Sequence, residues 1–510
     1  MKVLFTTLNS KYIHTNIALY YLRNRVKNIV DVSTLNLNIN DTLSSNLNKI
    51  LSYTPDVVCF GVYIWNIEET LKIACDIKRV NPKAIIAFGG PEVSYNPDEL
   101  LNKYKFIDSI LCLESENNIV QFIQDVKNKN VQKIYQIPVE VADIPSIADD
   151  IIENYDGRIV YFETSRGCPF RCSYCLSCID KRVRYFDLKQ VKTDLKKLLD
   201  FNVTQIKFID RTFNSDKKRA LDIWKFLLDN RKDTIFHFEI SASLIDDEVL
   251  KFLKKVPHDV FRFEIGIQST NKQTLDAINR RYNFKYEQEV ISKLVKMGNI
   301  HTHTDLIIGL PYETMDTFKK TFNDVYGLHS SEIQLGFLKF LKGTDIYNKK
   351  DEFKYEYSDY PPYEVLQNKF MSYQDISYLK KFETVFEYIY NSKKFIASVK
   401  YLETKFSDFY AMYEYITDYF LAGKLIDVKL SYDNIYLHLI KMFDNDEILI
   451  QTLTYDYVSN FKGIRDWMYN KYDVKEEIKD KQEHKKYRYV VLDYNVENGK
   501  KEKTVYKFEK

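Results

Sequence analysis

Three cysteines in one short stretch have the residue type and the spacing to hold a metal cluster. Cys168, Cys172 and Cys175 stand in C-x3-C-x2-C spacing within the run YFETSRGCPFRCSYCLSCIDKRVRYF, which extends from Tyr161 to Phe186. Three thiolates on one loop can bind three irons of a 4Fe–4S cubane, and they leave the fourth iron open for another ligand. The chemistry would occur at that open iron.

Zinc ligation and disulfide bonding explain the same cysteines less well. Structural zinc sites usually take four ligands in paired C-x2-C knuckles. Disulfide frameworks belong to small secreted chains, whereas this chain has 7 cysteines in 510 residues. Cys178 adds a further C-x2-C step. A fourth thiolate would block the open iron, and we therefore expect Cys178 to be a bystander.

The complete C-x3-C-x-aromatic-C pattern, in which Tyr174 is the aromatic residue, resembles the signature of the radical S-adenosylmethionine (SAM) enzymes. The resemblance implies a 4Fe–4S cluster on Cys168, Cys172 and Cys175, with Tyr174 next to the bound SAM. It also implies reductive cleavage of SAM to a 5′-deoxyadenosyl radical, with one electron supplied by a flavodoxin or ferredoxin partner.

Length and composition indicate a globular protein of two to three domains. Hydrophobic residues make up 45% and charged residues 29% of the chain, and the net charge of +2 argues against a general nucleic-acid or membrane-surface binder. The N-terminus MKVLFTTLNSKY lacks the pattern of a signal peptide, and no apolar run is long enough to cross a membrane. Together with the cysteine usage, these features predict a cytoplasmic protein in a reducing compartment.

The first 135 residues alternate short apolar runs with amphipathic stretches, which is typical of a doubly wound parallel sheet. The predicted strands cover residues 3–7, 31–36, 56–63, 84–90 and 109–113. Ligands of such sheets bind beyond the carboxyl ends of the strands. The informative loops therefore contain Ser10, Tyr63, Gly89, Gly90, Pro91 and Glu114.

The GGPEVS loop after the fourth strand resembles the cobalamin-binding domain that precedes the radical core in one large class of these enzymes. The resemblance implies that cobalamin contacts the six loop residues just named, although Glu114-Ser115-Glu116 departs from the usual Gly-Glu-Gly-Glu. The D-x-H-x-x-G motif that supplies an axial histidine is absent, and we expect His14 to be a cap or surface residue. Cobalamin would then bind without a protein imidazole on cobalt. A flavodoxin-like domain that holds no cofactor, or one that recognises substrate, is the alternative.

Residues 136–156 have neither helical nor strand periodicity and are predicted to be a surface linker. From residue 157 to 345, six strand-and-helix units follow, with strands over 205–210, 235–241, 260–269, 302–311 and 332–341 after the one that leads into the cysteine loop. This pattern predicts an open, partial TIM-type barrel with its chemistry at the carboxyl ends of the strands.

By the same resemblance, polar residues at the strand ends contact SAM. Asp210 is expected to accept a hydrogen bond from the SAM ammonium, while Arg211 replaces the family's usual second aspartate. Ribose or carboxylate contacts are implied for Glu239, Glu264 and Gln268, and adenine contacts for the backbone around Gly309 and Pro311. Salt bridges inside the barrel are the alternative role for the carboxylates.

Three histidines in the barrel have other possible roles. His237, like Glu239, is a candidate acid or base for substrate. His301 and His303 share one face of their strand, but no third metal ligand is evident.

Residues 346–510 are predicted to form a mainly helical domain that ends in a β-hairpin. Tyr and Phe recur there at helical spacing, which indicates helix packing. Apolar and polar residues alternate around Asn498-Gly499, a strong hairpin signal. The resemblance covers this region too, because an uncharacterised helical domain follows the radical core in one subgroup of the class.

The sequence therefore predicts an α/β cobalamin-dependent radical SAM enzyme that transfers a methyl group to an unactivated carbon of an unknown substrate. Radical rearrangement or cyclisation without methyl transfer is the first alternative. A methylthiotransferase would need a second cluster on Cys59, Cys75 and Cys112, which lie in predicted strands and a helix and resemble ordinary core cysteines. A non-catalytic cobalamin or SAM sensor is the last alternative.

Overall fold

The computed structural model describes residues 1–178, 180, 182–280, 283–461, 465, 467–468, 471–472, 487–495 and 501–509. The chain divides into two units. The first contains Met1–Glu313 and Gly336–Phe370, and the second contains Thr314–Leu335 and Met371–Lys510.

The N-terminal part of the first unit is a parallel sheet with helices on both faces. Its strands are β1 (Lys2–Asn9), β2 (Asp31–Asn38), β3 (Val57–Gly61), β4 (Ile85–Gly89), β5 (Ser109–Leu111) and β6 (Ile134–Tyr135). Its helices are α1 (Ile17–Val26), α2 (Leu43–Ser52), α3 (Ile67–Val80), α4 (Pro97–Lys103) and α5 (Glu116–Lys127). The strand order β2-β1-β3-β4-β5-β6 reverses direction between β1 and β3, where a ligand crevice is expected.

All five strands predicted for this sheet are confirmed. The strands are apolar on both faces, because one hydrophobic cluster containing Phe60 and Phe88 packs on one side and another containing Phe5 and Phe122 packs on the other. The sixth strand, β6, has only two residues, too few to show a period in the sequence.

The segment 136–156 contains more structure than its sequence pattern indicates. A 3₁₀ turn covers Val141–Asp143, and helix α6 covers Ala148–Glu153. Asp150 is buried and accepts hydrogen bonds from Arg23 and Asn24 of α1. This segment therefore contacts helix α1 of the N-terminal domain, and its boundaries as a linker stay a prediction.

The strands of the second sheet and the short pair at the cysteine loop are β7 (Val160–Phe162), β8 (Ser165–Arg166), β9 (Arg184–Tyr185), β10 (Gln205–Phe208), β11 (Ile235–Ile240), β12 (Phe261–Gln268), β13 (His301–Ile308) and β14 (Glu332–Phe337). The sheet has six strands in the order β14-β13-β12-β11-β10-β7, an open barrel as predicted. The helices of this region are α7 (Leu188–Phe201), α8 (Lys217–Asn230), α9 (Asp247–Leu253), α10 (Lys272–Ala277), α11 (Phe284–Met297), α12 (Met315–Tyr326) and α13 (Asp345–Asn348). The antiparallel strands β15 (Glu356–Tyr357) and β16 (Val365–Gln367) follow.

Burial alternates along β11, β12 and β13 and separates an apolar face from a polar one. The apolar face packs on the helices around Trp224, whose indole contacts the rings of Phe238, Phe261 and Phe263. The half-buried polar residues lie on the opposite face, toward the barrel interior. This alternation decides which side chains are available for chemistry.

The second unit is mainly helical, which confirms the predicted helical character of the C-terminal region, while the predicted domain bounds 346–510 stay a prediction. Besides α12 it contains α14 (Tyr373–Phe386), which continues into a π-helical turn over Glu387–Asn391, then α15 (Ile396–Glu403), α16 (Phe409–Ala422), α17 (Tyr432–Met442) and α18 (Glu447–Asn460). Phe322, Phe382, Phe386 and Tyr410 are buried and pack edge-to-face or stacked, which confirms that the aromatic stripe is helix-packing core.

The chain ends in β17 (Lys471–Tyr472), β18 (Tyr487–Asn495) and β19 (Lys501–Glu509). Strands β18 and β19 pair antiparallel as the hairpin prediction requires, and the predicted turn Asn498-Gly499 lies outside the described residues. Within the described part of the chain, no helix is long and apolar enough to cross a membrane.

Asp456 joins two helices of the second unit and allows a test of its packing. Its buried carboxylate accepts hydrogen bonds from the backbone amides of Ala397 and Ser398, at 2.9 and 2.8 Å, and from the Ser398 hydroxyl. Asp456→Ala leaves these donors unpaired, and we expect it to lower the free energy of unfolding by about 3 kcal/mol. Asp456→Asn keeps one acceptor oxygen and should cost about 1 kcal/mol in urea unfolding. Equal losses for the two variants would contradict this role.

Candidate functional site

The cysteine loop is closed at its base by the β8–β9 pair, in which Ser165 is opposite Tyr185 and Arg166 is opposite Arg184. The residue that follows the first strand is Gly167, with φ of +89°. A Cβ at this position would lie 2.0 Å from the backbone carbonyl oxygen of Arg182. Only glycine allows the two sides of the loop to approach this closely.

The three cysteines face groups that the motif did not indicate. Cys168 and Cys172 are buried and Cys175 is half-buried. The Cys168 Sγ lies 3.4 Å from the Thr212 hydroxyl, and Arg280 donates to the Cys172 Sγ at 3.5 Å. Burial raises the pKa of Cys168, and the Thr212 hydrogen bond partly lowers it. A guanidinium near the thiols supplies positive charge where thiolates would form.

Among the described residues, no three His, Cys, Asp or Glu side chains are spaced to hold a single metal ion. A cubane binds each cysteine through a different iron, so its ligands stand further apart than those of one ion. Tyr174 lies beside Cys172, with which it shares a hydrogen bond. Cys178 ends a 3₁₀ turn that begins at Leu176.

Asp210 forms hydrogen bonds with other residues of the protein. Its buried carboxylate accepts hydrogen bonds from the Thr164 amide at 2.8 Å, the Thr164 hydroxyl at 2.6 Å and the Ser165 hydroxyl at 2.7 Å. Burial raises the pKa of Asp210 to about 6, although these hydrogen bonds oppose the shift. The carboxylate thus holds the turn that leads into the cysteine loop, and its contact with the SAM ammonium stays a prediction.

Two glutamates on neighbouring strands have opposite electrostatic environments. Glu264 accepts from His237 at 2.9 Å and from Lys207 at 3.1 Å. Although burial acts to raise the pKa of Glu264, these two partners lower it to about 2. For Glu239, its neighbour across the sheet, burial raises the pKa to about 7. Glu264 therefore takes part in a barrel salt bridge, while Glu239 titrates near neutral pH.

The ends of β12 and β13 differ in their access to a ligand. Gln268 has φ of +74° at a bulge, and its side-chain Oε1 is buried without a hydrogen-bond partner among the described residues. The Gly309 carbonyl instead accepts from Tyr355 at 2.8 Å and Asn368 at 2.9 Å, and Val365 packs against its Cα. Pro311 is buried as well. Adenine contacts of Gly309 and Pro311 stay a prediction.

A cavity of about 1000 Å³ joins the carboxyl edge of the first sheet to the mouth of the barrel. From the first sheet it is lined by all six predicted loop residues, Ser10, Tyr63, Gly89, Gly90, Pro91 and Glu114. From the barrel it is lined by Tyr161, Arg166, Gly167, Ile209 and Arg211, among others. The loops on both sides thus converge on one space, which reaches the cysteine loop at Gly167, while Cys168, Cys172 and Cys175 are not among its lining residues.

Side chains on the cavity wall are held in place by hydrogen bonds and stacking. The Tyr63 ring stacks on Trp65 at 4.6 Å between centroids, and its hydroxyl accepts from Asn16. Asn16, rather than His14, caps α1. His14 instead lines the cavity with its Nδ1 2.6 Å from the Tyr161 hydroxyl. Burial lowers the pKa of His14.

The need for glycine at position 167 is testable with a matched control. Gly157 has a similar φ of +86°, but a Cβ there meets nothing within 4 Å. We expect Gly157→Ala to cost about 1 kcal/mol of backbone strain and to leave iron binding unchanged. Gly167→Ala adds the overlap with Arg182 and should abolish most iron and sulfide incorporation on anaerobic reconstitution. Full iron content in Gly167→Ala would show that the loop can close otherwise.

Glu239 and Glu264 should affect stability with opposite pH dependence in the protein without added cofactors. The folded state holds the Glu239 proton more tightly than the unfolded chain, so its stabilisation is present below pH 4.5 and lost as the pH rises through about 7. Relative to the parent, the free energy of unfolding of Glu239→Gln should therefore increase by about 2 kcal/mol as the pH rises from 5 to 8.

The Glu264 pKa is depressed, so this group stabilises the fold above pH 4.5 and loses that effect as the pH falls toward about 2. At pH 7, Glu264→Gln should lower the free energy of unfolding, measured with urea for both variants, by about 2 kcal/mol. Parallel pH profiles for the two variants would contradict the assigned environments.

Comparison with known proteins identifies each region of the chain. Residues 3–123 match the B12 binding domain, residues 162–325 match the radical SAM superfamily, and residues 351–509 match a protein family of unknown function, DUF4080.

Similar proteins carry related descriptions. The uncharacterized methyltransferase PH0819 of Pyrococcus horikoshii is 25% identical over 60% of this chain and 72% of its own length. The cobalamin-dependent radical SAM methyltransferase TokK of Streptomyces tokunonensis is 25% identical over 52% of this chain, and the match spans 44% of TokK. The solved structure of the cobalamin-dependent SAM radical enzyme OxsB with aqua-cobalamin bound shares the fold, with a TM-score of 0.61 and 15% identity over 90% of this chain and 81% of that one.

These matches confirm the predicted architecture and cofactors: an N-terminal cobalamin-binding domain, a radical SAM core that uses a 4Fe–4S cluster and SAM, and a further C-terminal domain. The chain is a radical SAM enzyme that carries an N-terminal B12-binding domain and a C-terminal DUF4080 domain.

Proposed function

We propose that this enzyme transfers a methyl group to an unactivated carbon of its substrate in a cobalamin-dependent reaction. The observation that carries the proposal is that one cavity is lined both by the B12-domain loops and by residues of the barrel mouth, including Gly167 of the cysteine loop. Methyltransfer is also the described activity of PH0819 and TokK.

Residues of the cysteine loop, the barrel interior and the cavity wall suit the three cofactors. Three thiols on one closed loop, with Arg280 close to Cys172, suit a 4Fe–4S cluster on Cys168, Cys172 and Cys175. The unpartnered Gln268 Oε1 offers SAM an acceptor inside the barrel. Gly90, with φ of +106°, lets the backbone of its loop pass Val62, where a Cβ would lie only 2.5 Å from the carbonyl oxygen.

The chain would then offer cobalamin no histidine from a D-x-H-x-x-G motif, as the sequence predicts. Ser10, Tyr63, Gly89, Gly90 and Pro91 would contact the corrin from the first sheet. Glu114 is bound by Arg184, so its contribution to cobalamin binding would be indirect.

When bound, the cluster and SAM supply a 5′-deoxyadenosyl radical, and cobalamin supplies the methyl group. The protein's own task is positioning and exclusion of water. Asp210 holds the turn before the cysteine loop, and Gly167 lets that loop close. Glu239 faces the barrel interior with a pKa raised by burial to about 7, and can hold or release a proton at substrate near neutral pH.

Radical SAM enzymes need a reductant, and we propose a flavodoxin or ferredoxin as the electron donor. The buried thiols outside the cysteine loop support a reducing compartment, the cytoplasm. Burial raises the pKa of Cys112 to about 11, which keeps this thiol protonated and a poor metal ligand. The same environment argues against a second cluster of the methylthiotransferase kind.

Anaerobic reconstitution with iron, sulfide and hydroxocobalamin tests the proposal. We expect the protein to retain corrin and, with dithionite and SAM, to form 5′-deoxyadenosine and S-adenosylhomocysteine. Cys168→Ala should lower 5′-deoxyadenosine formation at least about a thousandfold, because the open iron is lost. Cys75→Ala, a half-buried thiol on α3, is the matched control and should retain full activity.

Each other result identifies an alternative. Formation of 5′-deoxyadenosine without S-adenosylhomocysteine would favour rearrangement or cyclisation. Loss of activity in Cys75→Ala would favour a second cluster. Binding of both cofactors without SAM cleavage would favour a sensor.

A further inference from the structure

We propose that Arg166 and Arg184 are positioning residues that clamp the base of the cysteine loop to the Glu114–Glu116 loop of the B12-binding domain. We call Arg166, Arg184, Glu114, Glu116 and Glu163 the arginine clamp. The inference rests on the proposed function, because its purpose would be to keep a fixed separation between the cluster and the corrin.

Arg166 forms the inner half of the clamp. Its Nη2 donates to Glu116 Oε1 at 2.6 Å and to Glu163 Oε1 at 2.7 Å, and its Nε donates to Glu163 Oε2 at 3.1 Å. The side chains of Arg166, Glu116 and Glu163 are only 14, 7 and 8% exposed. Glu116 begins α5 of the B12-binding domain, whereas Glu163 follows the first barrel strand.

Arg184 forms the outer half. It donates to Glu114 through its two terminal guanidinium nitrogens, Nη2 to Oε1 at 2.5 Å and Nη1 to Oε2 at 3.0 Å, in a fork-to-fork arrangement. Its Nη1 also donates to the Val139 carbonyl at 2.8 Å, and its Nη2 lies 2.8 Å from Asp180. Arg184 therefore contacts the B12 domain, the segment that follows it and the cysteine loop.

The two arginines lie close to each other, and their like charges would destabilise the strand pair without the carboxylates that surround them. Arg166 and Arg184 are direct partners across the β8–β9 pair, where like charges repel. Carboxylates from both domains compensate this repulsion, and Glu114 Oε1 connects the two halves because it also lies 3.6 Å from Arg166 Nη1. The Glu114–Glu116 loop thus fixes the position of the loop base relative to the B12-binding domain.

The clamp links the position of the cysteine loop to that of the B12-domain loop that contains Glu114. Arg166 is separated from Cys168 only by Gly167, and Glu114 lies on the loop that lines the cavity beside Gly89. Movement at one end of the clamp is therefore transmitted to the other. Misplacement of reacting groups by about 1 Å can cost a hundredfold in rate.

Hydrogen–deuterium exchange of the full-length protein without added cofactors tests the mechanical coupling. Arg184→Gln is expected to raise amide exchange in residues 112–117 of the B12 domain, and Glu114→Gln to raise it in residues 167–178 of the cysteine loop. Arg23→Gln is the matched control, because it removes the ion pair with buried Asp150 without touching the cysteine loop. Exchange that rises only next to each substitution, or equally in Arg23→Gln, would overturn the clamp.

A double-mutant cycle tests the functional consequence in the reconstituted enzyme. We expect Arg184→Gln and Glu114→Gln each to lower methylcobalamin formation from SAM about tenfold while 5′-deoxyadenosine formation is retained. The double variant should lose no more than the worse single variant, since the two residues act as a unit. Arg184→Lys, which keeps the charge, should recover part of the loss.

The remaining outcomes are decisive as well. Equal loss of both products would mean that the cysteine loop itself is damaged, and losses that multiply in the double variant would assign Glu114 a separate contact with cobalamin; either result overturns the clamp. If the parent enzyme retains no corrin, the proposed function fails, and the exchange experiment alone decides the clamp.

Discussion

The cysteine loop depends on a steric constraint at its base. The backbone carbonyl of Arg182 approaches residue 167 so closely that no side chain fits there, and the β8–β9 pair can form only with glycine at that position. Two sets of interactions then fix this base. Asp210 binds Thr164 and Ser165 from below, and the arginine clamp binds the two strands from the side of the B12 domain. The placement of the three thiols follows from these contacts.

Buried charge has two different roles, one at the junction between the B12-binding domain and the cysteine loop and one inside the barrel. At the domain junction, each arginine is paired with glutamates. Buried charges need partners of opposite charge, because their removal from water is costly. Inside the barrel, Glu264 is paired with Lys207 and His237, whereas burial leaves Glu239 with a pKa close to neutral. Carboxylates whose environments separate their pKa values in this way are typical of sites that handle protons. The ion pairs at the junction are structural by comparison.

The segment after the barrel restricts one predicted SAM contact. Tyr355 and Asn368 occupy the Gly309 carbonyl, and Val365 covers the Gly309 Cα. In the same segment, Tyr363 donates to Glu92 on the GGPEVS loop at 2.5 Å. Residues 336–370 therefore contact both the end of a barrel strand and the loop expected to hold the corrin.

The sequence alone indicated the two sheets and the position of the cysteine loop, because strand periodicity, C-x3-C-x2-C spacing and glycine-rich turns are local properties of the chain. The family followed from the resemblance of the cysteine motif to the radical SAM signature. It also indicated the six loop residues that line the cavity, since parallel strands end at a common edge.

Only the tertiary structure decided the partners of the charged side chains. No sequence motif indicated roles for Arg166, Arg184 and Arg280. Asp210 and Glu264 have the residue types of ligand-binding groups, but their carboxylates accept hydrogen bonds from donors within the protein. Whether a carboxylate binds a ligand, an arginine or a hydroxyl depends on its burial and on residues that are distant in sequence. The local spacing of residues predicts neither of these.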